Sequence, residues 1–365
     1  MENKNKRSLI NFFADSKLMH TLFAIILGFI VGALFLEVMG ISSSMAYGKL
    51  VETIFKNSKA ISYDIVYATP YIVAGLSVAF SFKTGVFNIG AEGQFVIGSI
   101  SACVVGILGK DLPSIILIPL CMLAAMLAGS IWAMIVGILK TKWGINEVLS
   151  MIMFNWIAFY LSNFIADTPG IKQVGSAEAT QNISANARIL LDQNLINNLN
   201  LAPTANWGIL VAIILCVLIY IIIEKTTLGY ELKAVGFNRF AAEYGGINVN
   251  SSILTALAIS GALSGLAGAL QLMGMSGRIS IFTGQEGFGF AGIVVALIGL
   301  SNPIGVFLAG LFYGALKYGG RGLNLVGAPT QVVDIIVGTV VFFISISSIF
   351  EYIKYIKIFN KKEDK

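Results

Sequence analysis

The sequence predicts an all-α, polytopic membrane protein of about ten transmembrane helices with an inverted internal repeat, and three observations carry that prediction. Hydrophobic residues make up 56% of the 365 positions and charged residues 12%, about half the charged share of soluble domains. The apolar residues gather into long runs that break at Gly, Pro, Asn and charged clusters, the pattern of helices cut to bilayer thickness. A polar motif, GxEGxxxxG, occurs twice at identical spacing, as Gly90, Glu92, Gly93 and Gly98 and again as Gly284, Glu286, Gly287 and Gly292.

Residues 1–20 are basic and precede an apolar run, 21–39, about long enough to cross the hydrocarbon core. No small-x-small cleavage site follows, so the run reads as a retained first helix. Further spans are expected at 61–82, 91–109, 113–139, 145–166, 207–223, 252–273, 286–300, 303–319 and 331–350, which makes 21–350 one continuous membrane domain. The joints around 83–90 and 301–303 are short, so some of these segments are expected to be broken or re-entrant. Two stretches are polar. Residues 167–206 are rich in Asn and only lightly basic. Residues 224–251 carry mixed charge and hold a short helical reading over 239–244, with Asn238 as N-cap and Gly245-Gly246 as C-cap. Residues 351–365 form a basic tail. Placing both termini in the cytoplasm puts 15 of the 24 Lys and Arg residues inside, in agreement with the positive-inside rule; 167–206 is then external and 224–251 cytoplasmic.

The two GxEG copies then open helices that run in opposite directions, as inverted repeats with Gly-interrupted helices do in transporters. A carboxylate at membrane depth costs about 2.5–3.5 kcal/mol even on lenient scales, so it faces protein or a wet cavity. Asn88, Glu92 and Gln94 therefore admit two readings. They form a polar constriction that hydrogen-bonds a neutral solute, or Glu92 caps a helix N-terminus and ties two segments together. Asn146, Glu147 and Asn155 lie about two turns apart along one span and serve either a solute or interhelical hydrogen bonding. Glu286 and Asp334 carry the same ambiguity. Trp143, Trp156 and Trp207 read as interfacial or packing aromatics.

The net charge of +5 comes from lysines at the chain ends and in short loops, without base-stacking or Arg-rich motifs, which argues against nucleic acid. Cys103, Cys121 and Cys216 lie in apolar runs and lack metal-ligand spacing, and the single His, His20, excludes a histidine-built zinc site. No GxSxG elbow or His cluster suggests an intramembrane enzyme.

Three separated motifs resemble the membrane permease subunits of bacterial ABC importers, in the nucleoside and simple-sugar group related to ribose permeases. These are TGVFNIGAEGQ at 84–94, GINEVLSMIMFNWIA at 144–158 and GFGFAGIVVALIGLSNPIG at 287–305, with TTLGYELKAVGFNRFAAEYGGI at 226–247 resembling the group's coupling loop. The likeness runs from about residue 60 to 350. It implies a type II ABC importer-like fold in the bacterial cytoplasmic membrane and a chain with no cofactor of its own. ATP and magnesium would sit on a partner ATPase with tandem nucleotide-binding domains, beside a second homologous permease and an extracytoplasmic substrate-binding lipoprotein. The sequence agrees, since no Gly-Lys pair here is followed by the Ser or Thr that a Walker A loop needs. The coupling residues implied by the likeness are Asn238, Ala241, Ala242, Gly246 and Ile247, and Arg239 and Glu243, four apart, add a surface ion pair. The cargo would be a nucleoside or related simple sugar. A rival reading, an ion-coupled secondary transporter of a small polar solute, places protons or sodium on Glu92, Glu147 or Glu286.

Overall fold

Runs of Leu, Ile, Val and Ala fold as helix in an apolar solvent because each backbone N–H and C=O must find its partner within the segment. The computed structural model describes residues 17–175, 178–281 and 283–346. Among them the helices are α1 Lys17–Val38, α2 Ser43–Phe55, α3 Ser58–Phe82, α4 Ala91–Leu108, α5 Ser114–Trp143, α6 Glu147–Ala166, α7 Gln193–Asn198, α8 Gly208–Lys225, α9 Thr227–Phe237, α10 Arg239–Tyr244, α11 Val249–Gln271, α12 Phe288–Ile298, α13 Pro303–Gly319 and α14 Val332–Ile346. No strand forms among the described residues; three isolated bridges, Lys172 with Thr180, Ala179 with Ser280 and Leu190 with Asn206, tie down the polar 167–206 stretch.

Among the described residues seven helices are long and apolar enough to cross a membrane: α1, α3, α4, α5, α6, α8 and α11, the last prolonged by a π-helical turn over Leu272–Ser276. Two of the other three expected spans are shorter. Helix α12 has 11 residues, about 16 Å at 1.5 Å per residue and half of a ~30 Å core. Helix α13 has 17 residues, and α14 is described over 332–346, up to the end of the described residues. The turn between α12 and α13 is tight, with Leu300 and Ser301 both in the left-handed region at φ 54° and 51°. Besides the expected 239–244 helix, three helices fall outside the expected spans, α2, α7 and α9; α2 carries Lys49 and Glu52, which breaks the apolar run that would have announced it. The basic tail at 351–365, residues 1–16 and the end of the last expected span lie outside the described residues.

The chain forms two compact units. One comprises residues 54–318, with α11 at its centre against α3, α4 and α5. Glycines let these backbones touch. A Cβ on Gly98 of α4 would stand 2.3 Å from Gly265 Cα, and one on Gly129 of α5 would stand 2.3 Å from the Gly261 carbonyl oxygen. Small residues at helix crossings are how membrane helices gain packing where no hydrophobic force drives them together. Gly98→Ala tests this. Helix propensity alone favours alanine by about 1 kcal/mol, whereas overpacking against backbone costs about 1–3 kcal/mol, so the expected result is a lowered melting temperature in detergent. A raised one would mean that the crossing gives way freely.

The other unit joins residues up to 53 with those from 319 onward. Its α1 places Gly28 and Gly32 against Val340 and Ile336 of α14, and the Tyr47 hydroxyl of α2 donates to the Phe29 carbonyl at 2.6 Å.

Candidate functional site

Helix α3 stops at Phe82, and the chain passes through 83–90 before α4 begins at Ala91. Non-helical backbone inside a bundle must be satisfied by side chains, and the polar residues of the first motif do this. Asn88 and Gln94 pair through both amide groups, at 2.9 and 3.1 Å, and Asn88 Nδ2 also donates to Ser260 Oγ at 2.7 Å. Ser77 and Ser260 exchange hydroxyl-to-carbonyl bonds between α3 and α11. Asn155 of α6 reaches across to accept from Gly93 N at 2.8 Å and donate to the Ile89 carbonyl at 3.0 Å. All of these side chains are buried.

Glu92 joins the two motif copies. Its Oε1 accepts from Gly287 N and its Oε2 from Gly289 N, both at 2.7 Å. Although it lies in the first turn of α4, it caps the start of α12, where two otherwise orphaned amides and the positive end of the helix dipole meet a carboxylate. Close approach requires Gly289, whose Cβ would stand 2.2 Å from Glu92 N, and the turn requires Gly287, at φ +85°. Phe288 stacks on Phe95 at 4.9 Å beside this joint. The two copies differ in conformation: α4 starts one residue after Gly90, α12 four residues after Gly284. Glu286 therefore precedes its helix and does not repeat the role of Glu92.

Asn146 and Glu147 lie elsewhere, at the start of α6. Asn146 accepts from Val148 N and Leu149 N as the N-cap, and Glu147 forms an ion pair with Lys140 of α5. The same face carries α9 and α10. As the sequence leads one to expect, α10 spans 239–244, with Asn238 Oδ1 accepting from Phe240 N and Ala241 N and with Gly246 at φ +84° after the helix. Ala242 is buried and packs, with Ile247 beside it, into a cluster of Val86, Met151, Val235 and Leu257. Opposite, Phe240 is 85% and Tyr244 97% exposed. Arg239 and Glu243 form no ion pair with each other. A cleft of about 220 Å³ opens nearby between Phe82, Lys83, Lys233, Gly236 and Phe237. Burial there holds the Lys83 ammonium below its ordinary pKa, opposed by the charge of Glu224 and reinforced by that of Lys233.

Residues 60–345 match the family described as branched-chain amino acid transport system / permease component. The chain belongs to that family. Its relatives include the guanosine ABC transporter permease protein NupP of Bacillus subtilis, 38% identical over 91% of this chain and 94% of the relative. The nucleoside ABC transporter permease protein NupB of Lactococcus lactis is 33% identical over 96% and 94%. The glucose ABC transporter permease protein TsgB13 of Haloferax volcanii is 31% identical over 88% and 85%. No solved structure matches the permease.

Of the sequence-derived candidates, Asn88, Glu92, Gln94 and Asn155 meet in one place, Glu286 borders it, and Asn146 and Glu147 fall on the loop face of the permease with Asn238 to Ile247. Two groups went unremarked in the sequence. One is Phe237, Phe240 and Tyr244, whose signal was aromatic residues inside a polar, charged loop. The other is Tyr63, Tyr67 and Tyr71, spaced by four along α3. Trp143 and Trp207 are exposed, and Trp156 is partly covered by Phe159 and Tyr160.

Proposed function

We propose that this permease forms the translocation pathway of an importer for nucleosides, moved by ATP hydrolysis on a partner chain that docks on α10. Two of the three relatives above are named for nucleosides or guanosine and the third for glucose, which supports a nucleoside cargo ahead of a simple sugar. The observation that carries the mechanism is the seating of α10. Ala242, with Ile247 against it, shares one packed cluster with Val86, two residues before Asn88, and Met151, one turn before Asn155. A push on α10 therefore bears on the segment whose polar side chains fix α4 and, through Glu92, the start of α12. Arg239, Ala241, Glu243 and Gly246 are exposed around the helix and would meet the partner, while Asn238 holds its N-terminus.

In this reading the polar node works as a mechanical link rather than a solute contact, because its hydrogen-bonding groups are spent on one another. Loops 83–90 and 224–251 and both termini lie in the cytoplasm, and 167–206 faces the binding protein outside. The short α12 and α13 complete the pathway lining beside a second, homologous permease, and the shorter apolar helices bring the membrane segments to about ten, with the GxEG pair as the trace of an inverted duplication. The cofactors, ATP and magnesium, stay on the partner.

Co-purification from native membranes tests this. The expected result is recovery of a chain with two nucleotide-binding domains and a binding lipoprotein, and ATP-dependent guanosine uptake by the reconstituted complex. Uptake by the permease alone in ATP-free liposomes, driven by a proton or sodium gradient, would replace this reading with the secondary-transporter one.

A further inference from the structure

The carboxylates of the two motif copies come to lie close together, and their hydrogen-bonding capacity is used differently. Glu92 is spent on Gly287 N and Gly289 N. Glu286, the neighbour of Gly287, has no hydrogen-bond or ion-pair partner among the described residues, and neither do the side chains of Thr283 and Gln285. The depth of this segment follows from its two ends. At one end Ile279 N donates to Thr180 Oγ1 at 3.1 Å and Ile281 N to the Glu178 carbonyl at 2.7 Å, so the chain there still lies against the polar 167–206 stretch. At the other end Phe288 stacks on Tyr71 at 5.1 Å, midway along the 25 residues of α3. Residues 283–287 therefore descend, without helical structure, to the middle of a membrane-crossing helix.

Irregular backbone at membrane depth is stable only where protein buries it or water reaches it. The rest of this chain does not bury it. Thr283 and Gly284 are exposed and Gln285, Glu286 and Gly287 partly so, and a Cβ on Gly284 or Gly287 would meet no atom within 4 Å. The amides of Thr283, Gly284 and Gln285 also lack an acceptor among the described residues, which leaves water to satisfy them. The segment thus borders an aqueous space at the start of a half-length helix, where broken helices of transporters meet their solutes.

Charge narrows the class of solute. A free helix N-terminus at such a place takes an anionic group, but that of α12 already holds Glu92, and Glu286 adds a second carboxylate beside it. A solute bearing phosphate or carboxylate is disfavoured there by like charge. A carboxylate only accepts hydrogen bonds, while the hydroxyl of Thr283 and the amide of Gln285 both accept and donate, so the complement is a neutral solute rich in hydroxyl donors. The donors that every ribonucleoside carries, whatever its base, are the vicinal 2′ and 3′ hydroxyls of ribose. Acidic side chains take ribose hydroxyls in dinucleotide sites by the same pairing.

We propose that Glu286, with Thr283 and Gln285 beside it, binds the ribose diol of the nucleoside on its way through the permease. The proposal rests on the nucleoside reading above and supplies the solute contact that the Glu92 node, with its groups spent, does not. The test uses the complete importer in proteoliposomes, with labelled guanosine and 2′-deoxyguanosine as probes. Glu286→Ala is expected to lower the maximal rate of guanosine uptake about tenfold or more, as loss of a hydrogen bond to a charged group does, with the melting temperature of the complex unchanged. The preference for guanosine over 2′-deoxyguanosine is expected to narrow by about fivefold or more. Both complexes carry the same binding protein, so a changed preference belongs to the permease. A wild-type rate in the alanine variant, or equal losses for the two nucleosides, would overturn the ribose contact while leaving the nucleoside importer standing. A wild-type complex that carries no nucleoside would overturn both. Should the alanine variant fail to assemble, or the wild-type complex refuse 2′-deoxyguanosine, Gly284→Cys decides. The site has room for that side chain, and the native cysteines are buried. The new thiol is expected to react with a membrane-impermeant methanethiosulfonate in the assembled complex, and guanosine during turnover is expected to slow the reaction. A thiol that stays unreactive in the assembled complex would place the segment under protein and overturn the proposal, as would a reaction that guanosine does not slow.

Discussion

A permease carrying Glu92→Ala loses most of its folded, detergent-stable fraction, and Glu92→Gln keeps an intermediate share. The alanine leaves Gly287 N and Gly289 N without an acceptor in a site that excludes water. Each unsatisfied buried donor costs about 1–3 kcal/mol, so the pair costs about 2–6 kcal/mol, a large fraction of the stability of an ordinary domain. Glutamine keeps one oxygen acceptor but presents an NH2 to the second amide and gives up the charge that favours a helix N-terminus. Thermal unfolding followed by size-exclusion chromatography measures both. Guanosine uptake by the Gln variant separates the two roles open for this residue: a solute contact predicts altered transport with wild-type stability, and a cap predicts a stability loss that uptake merely follows. Wild-type melting of the alanine variant would show that the α4–α12 joint does not depend on the carboxylate.

That a carboxylate at this depth needed a partner could be read from the sequence, because the cost of burying it is a property of the residue. Which partner it takes could not. Capping rules read from sequence are local, and Glu92 sits where it would cap its own helix, yet its acceptors are used 195 and 197 residues away. The duplicated motif hinted at a relation between 90–98 and 284–292 without indicating that the copies touch. Helix α10 was legible to the residue, since Asn238 and Gly245-Gly246 are short-range signals that act within a turn. The break after α12 was legible as well, since the joint expected around 301–303 falls on the observed turn at Leu300 and Ser301; the start of the helix at Phe288 rather than 286 was not, because Gly287 at φ +85° breaks the run by backbone conformation and not by hydropathy. The expected surface pair of Arg239 and Glu243 gives way to a different arrangement in which Glu147 is held by Lys140, a contact made by tertiary packing of α5 and α6.

Replacing Phe240 and Tyr244 together with aspartate is expected to abolish ATP-driven uptake while leaving the permease inserted and folded. The two rings are four residues apart on the side of α10 opposite Ala242, and at 85% and 97% exposure their removal falls within the roughly ±0.5 kcal/mol typical of surface substitutions. A pair of aromatic residues standing clear of the surface on a capped helix has the composition of an interface anchor, and loss of one such anchor costs about 2 kcal/mol or more, about thirtyfold in affinity. With both gone and two carboxylates placed in the contact, the ATPase should no longer co-purify. Ala242→Leu separates docking from seating: it overfills the cluster with Val86 and Met151 and should lower the melting temperature, which the aspartate pair should not. If the aspartate pair retains its ATPase and its uptake, the motor does not grip this helix, and the mechanical route from α10 through Val86 to Asn88 and Glu92 has no input.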